Sequence, residues 1–161
     1  MKHFRIVVAA AAAALILAVT PAIAASASDA AIDPQIAYAL DAVPGGELVD
    51  GHTAYWPDQG MTLTVPDATA RSASAASAIG SCPHGSVCAF SAYNLSGTRL
   101  AWTSCAVHST TALGSPVRSI ADARSTGYLQ ARNGTTVLAT AIAQSWDNVT
   151  STSTTNVRCV L

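Results

Sequence analysis

Three of the chain's four cysteines fall in one stretch, Ser81–Cys105, reading SCPHGSVCAFSAYNLSGTRLAWTSC, and no other feature constrains the fold as strongly. Cys82, Cys88 and Cys105 lie there, and Cys159 stands near the C-terminus. An even cysteine count in an exported chain reads as two disulfides, with three possible pairings. Zinc is the poorer reading, because C-x5-C is not a knuckle spacing and no histidine completes a familiar ligand pattern. Pro83 and Gly85 punctuate the loop between Cys82 and Cys88. Val87–Tyr93 and Thr98–Thr103 are β-rich runs around Asn94-Leu95-Ser96-Gly97, a hairpin loop ending in glycine. Phe90 shares a face with Cys88, Leu100 and Trp102 alternate with Arg99 and Ala101, and these two faces are expected to meet in the core.

The case for export rests on the first residues. Lys2, His3 and Arg5 precede an apolar run, Ile6–Val19, and Ala22-Ile23-Ala24 supplies a small-residue cleavage signal. A run so short with such flanks reads as a secretory signal peptide over 1–24, not a membrane span. A secreted, extracellular protein is therefore expected. Without Lys2 and Arg5, six arginines face nine acids, a balance that excludes nucleic acid as a partner. No later run approaches the roughly 20 apolar residues of a membrane helix, so no membrane partner is expected once the leader is removed. The remaining length suits one compact core, and a monomer is expected.

Taken in order, residues 25–66 form an N-terminal helix and hairpin extension. Asp33-Pro34 starts the helix as N-cap and first residue, Ile36, Leu40 and Val43 recur at helical spacing, and Pro44-Gly45-Gly46 ends it. Met61, Leu63 and Val65 alternate with threonines after the turn Pro57-Asp58-Gln59-Gly60, the mark of a half-buried hairpin. Residues 67–80, rich in Ala and Ser, read as a linker open to proteolysis, and residues 81–161 as the disulfide-stapled domain. Within that domain Val107–Ser115 reads as a polar loop and Val117–Ala121 as a strand. Tyr128–Arg132 and Thr135–Thr140 bracket the hairpin signal Asn133-Gly134, Ser145–Thr155 reads as a loop around Trp146, and Asn156–Val160 as the last strand. The fold class is all-β apart from the short helix.

Catalysis leaves no trace in the sequence. There is no G-x-S-x-G, H-E-x-x-H or phosphate-binding glycine loop, so neither an enzyme nor a cofactor is expected. His52, His84 and His108 are scattered over separate segments, although His84 and His108 flank the cysteines and a meeting in space is conceivable. Of the aromatics that would suit glycan binding, Trp102 alternates like a core residue, while Trp56 and Trp146 are open. Asn94, Asn133 and Asn148 head N-x-S/T triplets, and the first two are explained as turn residues.

Ser81, Cys82, Pro83, Gly85, Ser86, Cys88, Leu95, Ser96, Gly97 and Arg99 match an S-C-P-x-G-S-x-C element followed by an L-S-G-x-R turn. In this the chain resembles the secreted streptomycete metalloproteinase inhibitor family. The resemblance implies a beta/gamma-crystallin-like Greek-key sandwich, whose aromatic-x4-aromatic-x-Gly fingerprint is met by Phe90, Leu95 and Gly97 with Leu in place of the second aromatic. Val117-Arg118-Ser119-Ile120 is similar to the family's later strand, where a serine caps the hairpin fold. Residues 29–66 resemble an N-terminal extension of secreted actinobacterial members. The implied function is non-covalent blocking of the cleft of an extracellular protease, a metalloprotease or another peptidase. By resemblance Cys82 pairs with Cys88, leaving Cys105 with Cys159; Cys88–Cys105 is the rival pairing, because those residues sit on adjacent strands of one hairpin. The family's reactive loop lies inside a second short cysteine loop that this chain lacks, so no reactive-site residue carries over. The alternative is a non-inhibitory secreted module of the same fold, binding cell-wall material or calcium. Asp147, Asn148 and Ser151 resemble the calcium element of some crystallin-like domains, with Thr152 where a serine is usual. A single carboxylate among them makes a polar loop the expected state.

Overall fold

The structure, a computed structural model, describes residues 31–67 and 77–161. The expected signal peptide and residues 68–76 of the expected linker lie outside them. Helix α1 (Pro34–Ala42) leads to β1 (Glu47–Asp50), β2 (Thr53–Trp56) and β3 (Met61–Thr64). Then follow β4 (Ser77–Ile79), β5 (Cys82–Pro83), β6 (Val87–Phe90), β7 (Arg99–Trp102), β8 (Val107–Ser109) and β9 (Ser119–Asp122). The chain closes with β10 (Tyr128–Asn133), β11 (Thr136–Ile142), β12 (Ser145–Asn148) and β13 (Asn156–Val160). The described residues form two antiparallel sheets, ordered β1-β2-β3-β7-β6-β9-β12 and β11-β10-β13-β8, with a small β4-β5 ribbon.

The connectivity carries a symmetry. β6, β7 and β9 share the large sheet, but β8 between them crosses to the edge of the small one and pairs with β13. β10, β11 and β13 share the small sheet, and β12 crosses back to pair with β9. Each four-strand run thus lends its third strand to the other, which ties the two sheets together covalently at both ends.

Local chemistry explains the first elements. The Asp33 carboxylate accepts from the Gln35 N–H at 2.7 Å, capping a helix that Pro34 begins. Ile36 and Ala39 face the core. Pro44-Gly45-Gly46 does more than stop the helix: the indole of Trp56 lies so close over Gly46 that a Cβ there would fall 2.5 Å from the ring. The same indole donates to the Val43 carbonyl at 2.8 Å, and Trp56 is fully buried.

The N-terminal hairpin joins the large sheet. β3 pairs with β7 in the register Met61↔Trp102 and Leu63↔Leu100, so its apolar face continues that of β7. An unpaired β7 edge would leave backbone donors and acceptors exposed, and β3 fills it with a matching alternation. The expected linker also ends before residue 80, since Ser77–Ile79 pair with Cys82–Pro83.

The inter-sheet core joins Val87, Ala89, Leu100, Trp102 and Ile120 to Leu129, Ala131 and Val157 of the small sheet, with Met61, Leu63, Trp56 and the helix at one end. On the outer face of the large sheet a second cluster holds Cys82, Cys88, Phe90, Ala101, Ala121 and Ala123, with Ile79 and Leu95 packed onto it. The two faces expected to meet therefore do not. Phe90 pairs with Arg99 and Cys88 with Ala101, so Phe90 and Cys88 point away from Leu100 and Trp102. β6 is buried on both faces, as the unbroken apolar run Val87–Phe90 requires.

Two expected loops prove to contain strands. Val107–Ser109 is β8, followed by a 3-10 turn, Thr111–Leu113, that buries Ala112 and Leu113. Ser145–Asn148 is β12. Both are edge strands whose side chains are mostly exposed, so no apolar alternation marks them.

Candidate functional site

The cysteines pair as Cys82–Cys88 and Cys105–Cys159, and none is free. The first bridge staples the entry to β6 beneath the small ribbon. Ser86 donates its N–H to the Pro83 carbonyl at 3.1 Å, and the Gly85 N–H reaches the Ala123 carbonyl at 2.9 Å, so the loop is tied to β9 as well. Arg99 reaches from β7 to the Ser81 carbonyl and, at 3.1 Å, to the Thr64 hydroxyl. Burial pushes the Arg99 guanidinium below its ordinary value.

The hairpin loop after β6 is folded back on itself. Asn94 and Leu95 both adopt left-handed backbone, and Gly97 does so where a Cβ would fall 2.4 Å from the Ser91 hydroxyl. Ser119 holds this arrangement from β9: its hydroxyl donates to the Ala92 carbonyl at 2.8 Å and accepts from the Leu95 N–H at 3.0 Å. Leu95 then packs against the outer cluster that contains Phe90, Cys82 and Cys88. Ser119→Ala leaves both backbone groups unpaired at a strained turn and is expected to cost about 2 kcal/mol in thermal unfolding. Faster amide exchange at Leu95 would accompany it. Ser81, Pro83, Gly85, Phe90, Leu95, Gly97 and Arg99 thus converge on one structural assembly and present no reacting group.

The calcium-like residues are engaged elsewhere. Asn148 accepts from the Asn94 N–H at 3.0 Å and donates to the Asn94 side chain at 3.2 Å. Asp147 accepts from the Asn148 N–H at 2.8 Å, and the Ser151 hydroxyl is shared with Ser153 at 2.8 Å. The guanidinium of Arg118 stacks over Tyr93 and donates to the Thr150 carbonyl at 3.5 Å, setting a positive charge beside the segment. Among the described residues no three His, Cys, Asp or Glu side chains converge as metal ligands.

The structure instead singles out Thr103–Val107, a segment that crosses from the large sheet to the small one. All five residues are exposed, Val107 at 62%. They are nonetheless held on every side. The Thr103 N–H donates to the Gly60 carbonyl at 3.1 Å, the Ser104 hydroxyl to the Gln59 carbonyl at 3.2 Å, and the Ala106 carbonyl accepts from the Cys159 N–H at 2.9 Å. Cys105 is bridged to Cys159, and the Arg124 guanidinium donates to its sulfur at 2.9 Å. Arg124 is itself locked by the buried Asp122 carboxylate at 2.6 and 2.9 Å and by the Val160 carbonyl at 3.2 Å. An exposed run immobilised in this way can dock on a partner with little loss of conformational freedom. In the sequence only Cys105 signals it.

His108 underlies the segment. It stacks on Trp102 with ring centroids 5.0 Å apart, and its Nε2–H donates to the Ser104 carbonyl at 3.0 Å. Burial lowers its pKa from the ordinary 6.5, and the Ser104 bond only partly opposes this. The unfolded chain therefore takes up a proton first as pH falls. Stability is expected to be fully present above about pH 6.5 and to decline below it towards the depressed folded value. A His108→Gln variant, followed by melting temperature from roughly pH 7 to about pH 5, should lose much of that slope. His84, in contrast, is exposed on the Cys82–Cys88 loop. Trp102 is core as expected, Trp56 is core as well, and Trp146 is exposed.

Comparison with known proteins finds no match to a family, to a curated protein or to a solved structure. The fold and site together define a mostly β protein of two antiparallel sheets with two disulfides.

Proposed function

We propose that the protein is a secreted peptidase inhibitor with a beta/gamma-crystallin-like Greek-key sandwich. It acts without catalysis, by laying the Thr103–Val107 segment non-covalently across the cleft of an extracellular protease. The observation that carries this reading is that segment: exposed along its length, apolar at Val107, and fixed by a disulfide and backbone bonds. Rigidity of that kind is what slows cleavage and lowers the entropy lost on docking. Two further features support the fold assignment. The exchange of β8 and β12 between sheets suits paired Greek keys, and the Ser119-capped hairpin falls within the residues that carry the family resemblance. The signal-peptide pattern of residues 1–24 and the two disulfides support secretion.

The test is tight titration of the oxidised protein against a thermolysin-type metalloprotease and a subtilisin-type serine protease, with mass spectrometry for slow nicking. Stoichiometric inhibition is expected, with any nick between Thr103 and Val107. Val107→Asp should weaken inhibition at least about tenfold, while the fold tolerates the change because Arg158 is its cross-strand partner. No inhibition at micromolar excess of folded protein would leave the non-inhibitory binding module as the reading, in keeping with the missing second short cysteine loop.

A further inference from the structure

A groove separate from the Thr103–Val107 segment lies between α1, the 3-10 turn and the loop entering β13, and we propose that it binds a neutral saccharide. Its volume of 440 Å³ falls among small-molecule pockets, which span about 300–1,000 Å³. Tyr38 of α1 stands on its rim, Thr110, Thr111 and Ser115 line one side, and Thr152, Thr154 and Thr155 the other.

The chemistry of these walls selects the ligand. Every side chain named is a hydroxyl, and none of the described lining residues is charged. An ionic ligand would therefore surrender its hydration without gaining a counter-charge. A peptide strand would seek unpaired backbone, yet the Thr110 N–H is bonded to the Thr155 carbonyl at 3.4 Å and the Thr155 N–H to the Arg132 carbonyl at 2.9 Å. The Leu113 and Gly114 N–H groups are likewise spent on the Thr110 and Thr111 carbonyls, both at 3.0 Å. The lining side chains offer hydroxyls and one phenol ring; the Thr111, Ser115 and Thr155 hydroxyls already bond Ser109, the Leu113 carbonyl and the Gly134 N–H, and each keeps capacity for another partner. A sugar matches that set, with hydroxyls able to donate and accept and a C–H face that packs against an aromatic ring.

The groove is built around a fixed ring. Tyr38, 47% exposed, is fixed where it stands: its ring lies against Gly114, where a Cβ would come within 2.7 Å of it. One helical turn earlier Gln35 donates to the Ala112 and Leu113 carbonyls at 3.2 and 3.0 Å, pinning α1 over the turn. Helix α1 thus supplies the stacking platform.

The experiment is NMR titration of the isotope-labelled, oxidised protein with chitotetraose, maltotetraose and a galacto-oligosaccharide, with oligogalacturonate and a neutral tetrapeptide as controls. At least one neutral saccharide should shift the amides of Thr111, Gly114 and Thr152–Thr155, with a dissociation constant of about 1 mM or tighter. Tyr38→Ala should weaken binding about tenfold, and Tyr38→Phe should stay near wild type because the ring is kept. Thr152→Val, which preserves shape and removes an exposed lining hydroxyl, should weaken it about fivefold. Absence of these shifts with all three neutral sugars would overturn the proposal. So would equal or tighter binding of either control, or affinities unchanged in both Tyr38→Ala and Thr152→Val. Because the two sites share no residue, failure here leaves the protease titration unaffected, and the reverse.

Discussion

Replacing Cys105 and Cys159 together by alanine is expected to lower the unfolding free energy by about 4 kcal/mol. The bridge closes a loop with a sequence separation of 54, against 6 for Cys82–Cys88, and the chain entropy it removes from the unfolded state grows with the logarithm of that length. The short bridge should be worth only about 2 kcal/mol on the same account. Against a domain stability of roughly 5–15 kcal/mol, the long bridge is the largest single covalent contribution. Urea unfolding of the two double variants, Cys105→Ala/Cys159→Ala and Cys82→Ala/Cys88→Ala, measures both costs. The first should also show a steeper denaturant dependence, because its unfolded chain expands further. A larger loss from the short bridge would refute the entropic ranking and shift the weight to packing, since Cys82 and Cys88 are fully buried and Cys105 is not. Inhibition should fall in the Cys105→Ala/Cys159→Ala protein even where it remains folded, because Thr103–Val107 loses its anchor.

Arg124→Met is expected to cost about 3–5 kcal/mol. Asp122 has no exposed side-chain surface and Arg124 only 11%, so removing the guanidinium strands a carboxylate inside the sheet. The backbone N–H of Arg124 still donates to that carboxylate at 3.0 Å, but one neutral donor does not replace two charged ones. The consequences reach further than the pair. Arg124 also binds the Val160 carbonyl and the Cys105 sulfur, so the end of β13 and the candidate inhibitory segment loosen together. Asp122→Asn/Arg124→Met should be more stable than the sum of the single losses implies, since neither charge is then left alone. Chemical denaturation of the two single variants and the double variant closes this cycle. Strict additivity would mean that the pair contributes nothing beyond its separate bonds.

Features governed by neighbours in sequence were readable from it. The Asp33-Pro34 helix start depends on a bond two residues long, and Asn133-Gly134 and Pro57–Gly60 impose their turns through their own backbone preferences. Burial of Met61 and Leu63 on one face followed from alternation alone. The misread segments share a different cause. β8 and β12 are edge strands held by main-chain bonds to β13 and β9, and such bonds have no side-chain signature. Phe90 and Trp102 lie on opposite faces of the sheet, which alternation leaves open because it tells which residues share a face but not which face a neighbouring strand turns the same way.

The candidate site divides along the same line. Cys105 was visible as a cysteine near the end of a strand, and the even count favoured two bridges. Nothing local indicated that Cys159 would be its partner, that Arg124 would reach its sulfur, or that Gln59 and Gly60 would hold the segment's first residues. By itself the sequence indicated an all-β, disulfide-bearing chain whose first residues have the pattern of a signal peptide, its turns, and the alternating faces of its central strands. Only the tertiary structure decided which strands exchange sheets, that the N-terminal hairpin extends the large sheet, and that Thr103–Val107 is both exposed and bonded to its neighbours. These depend on contacts between residues distant in sequence, and main-chain pairing across such distances is set by register and packing that no short stretch encodes.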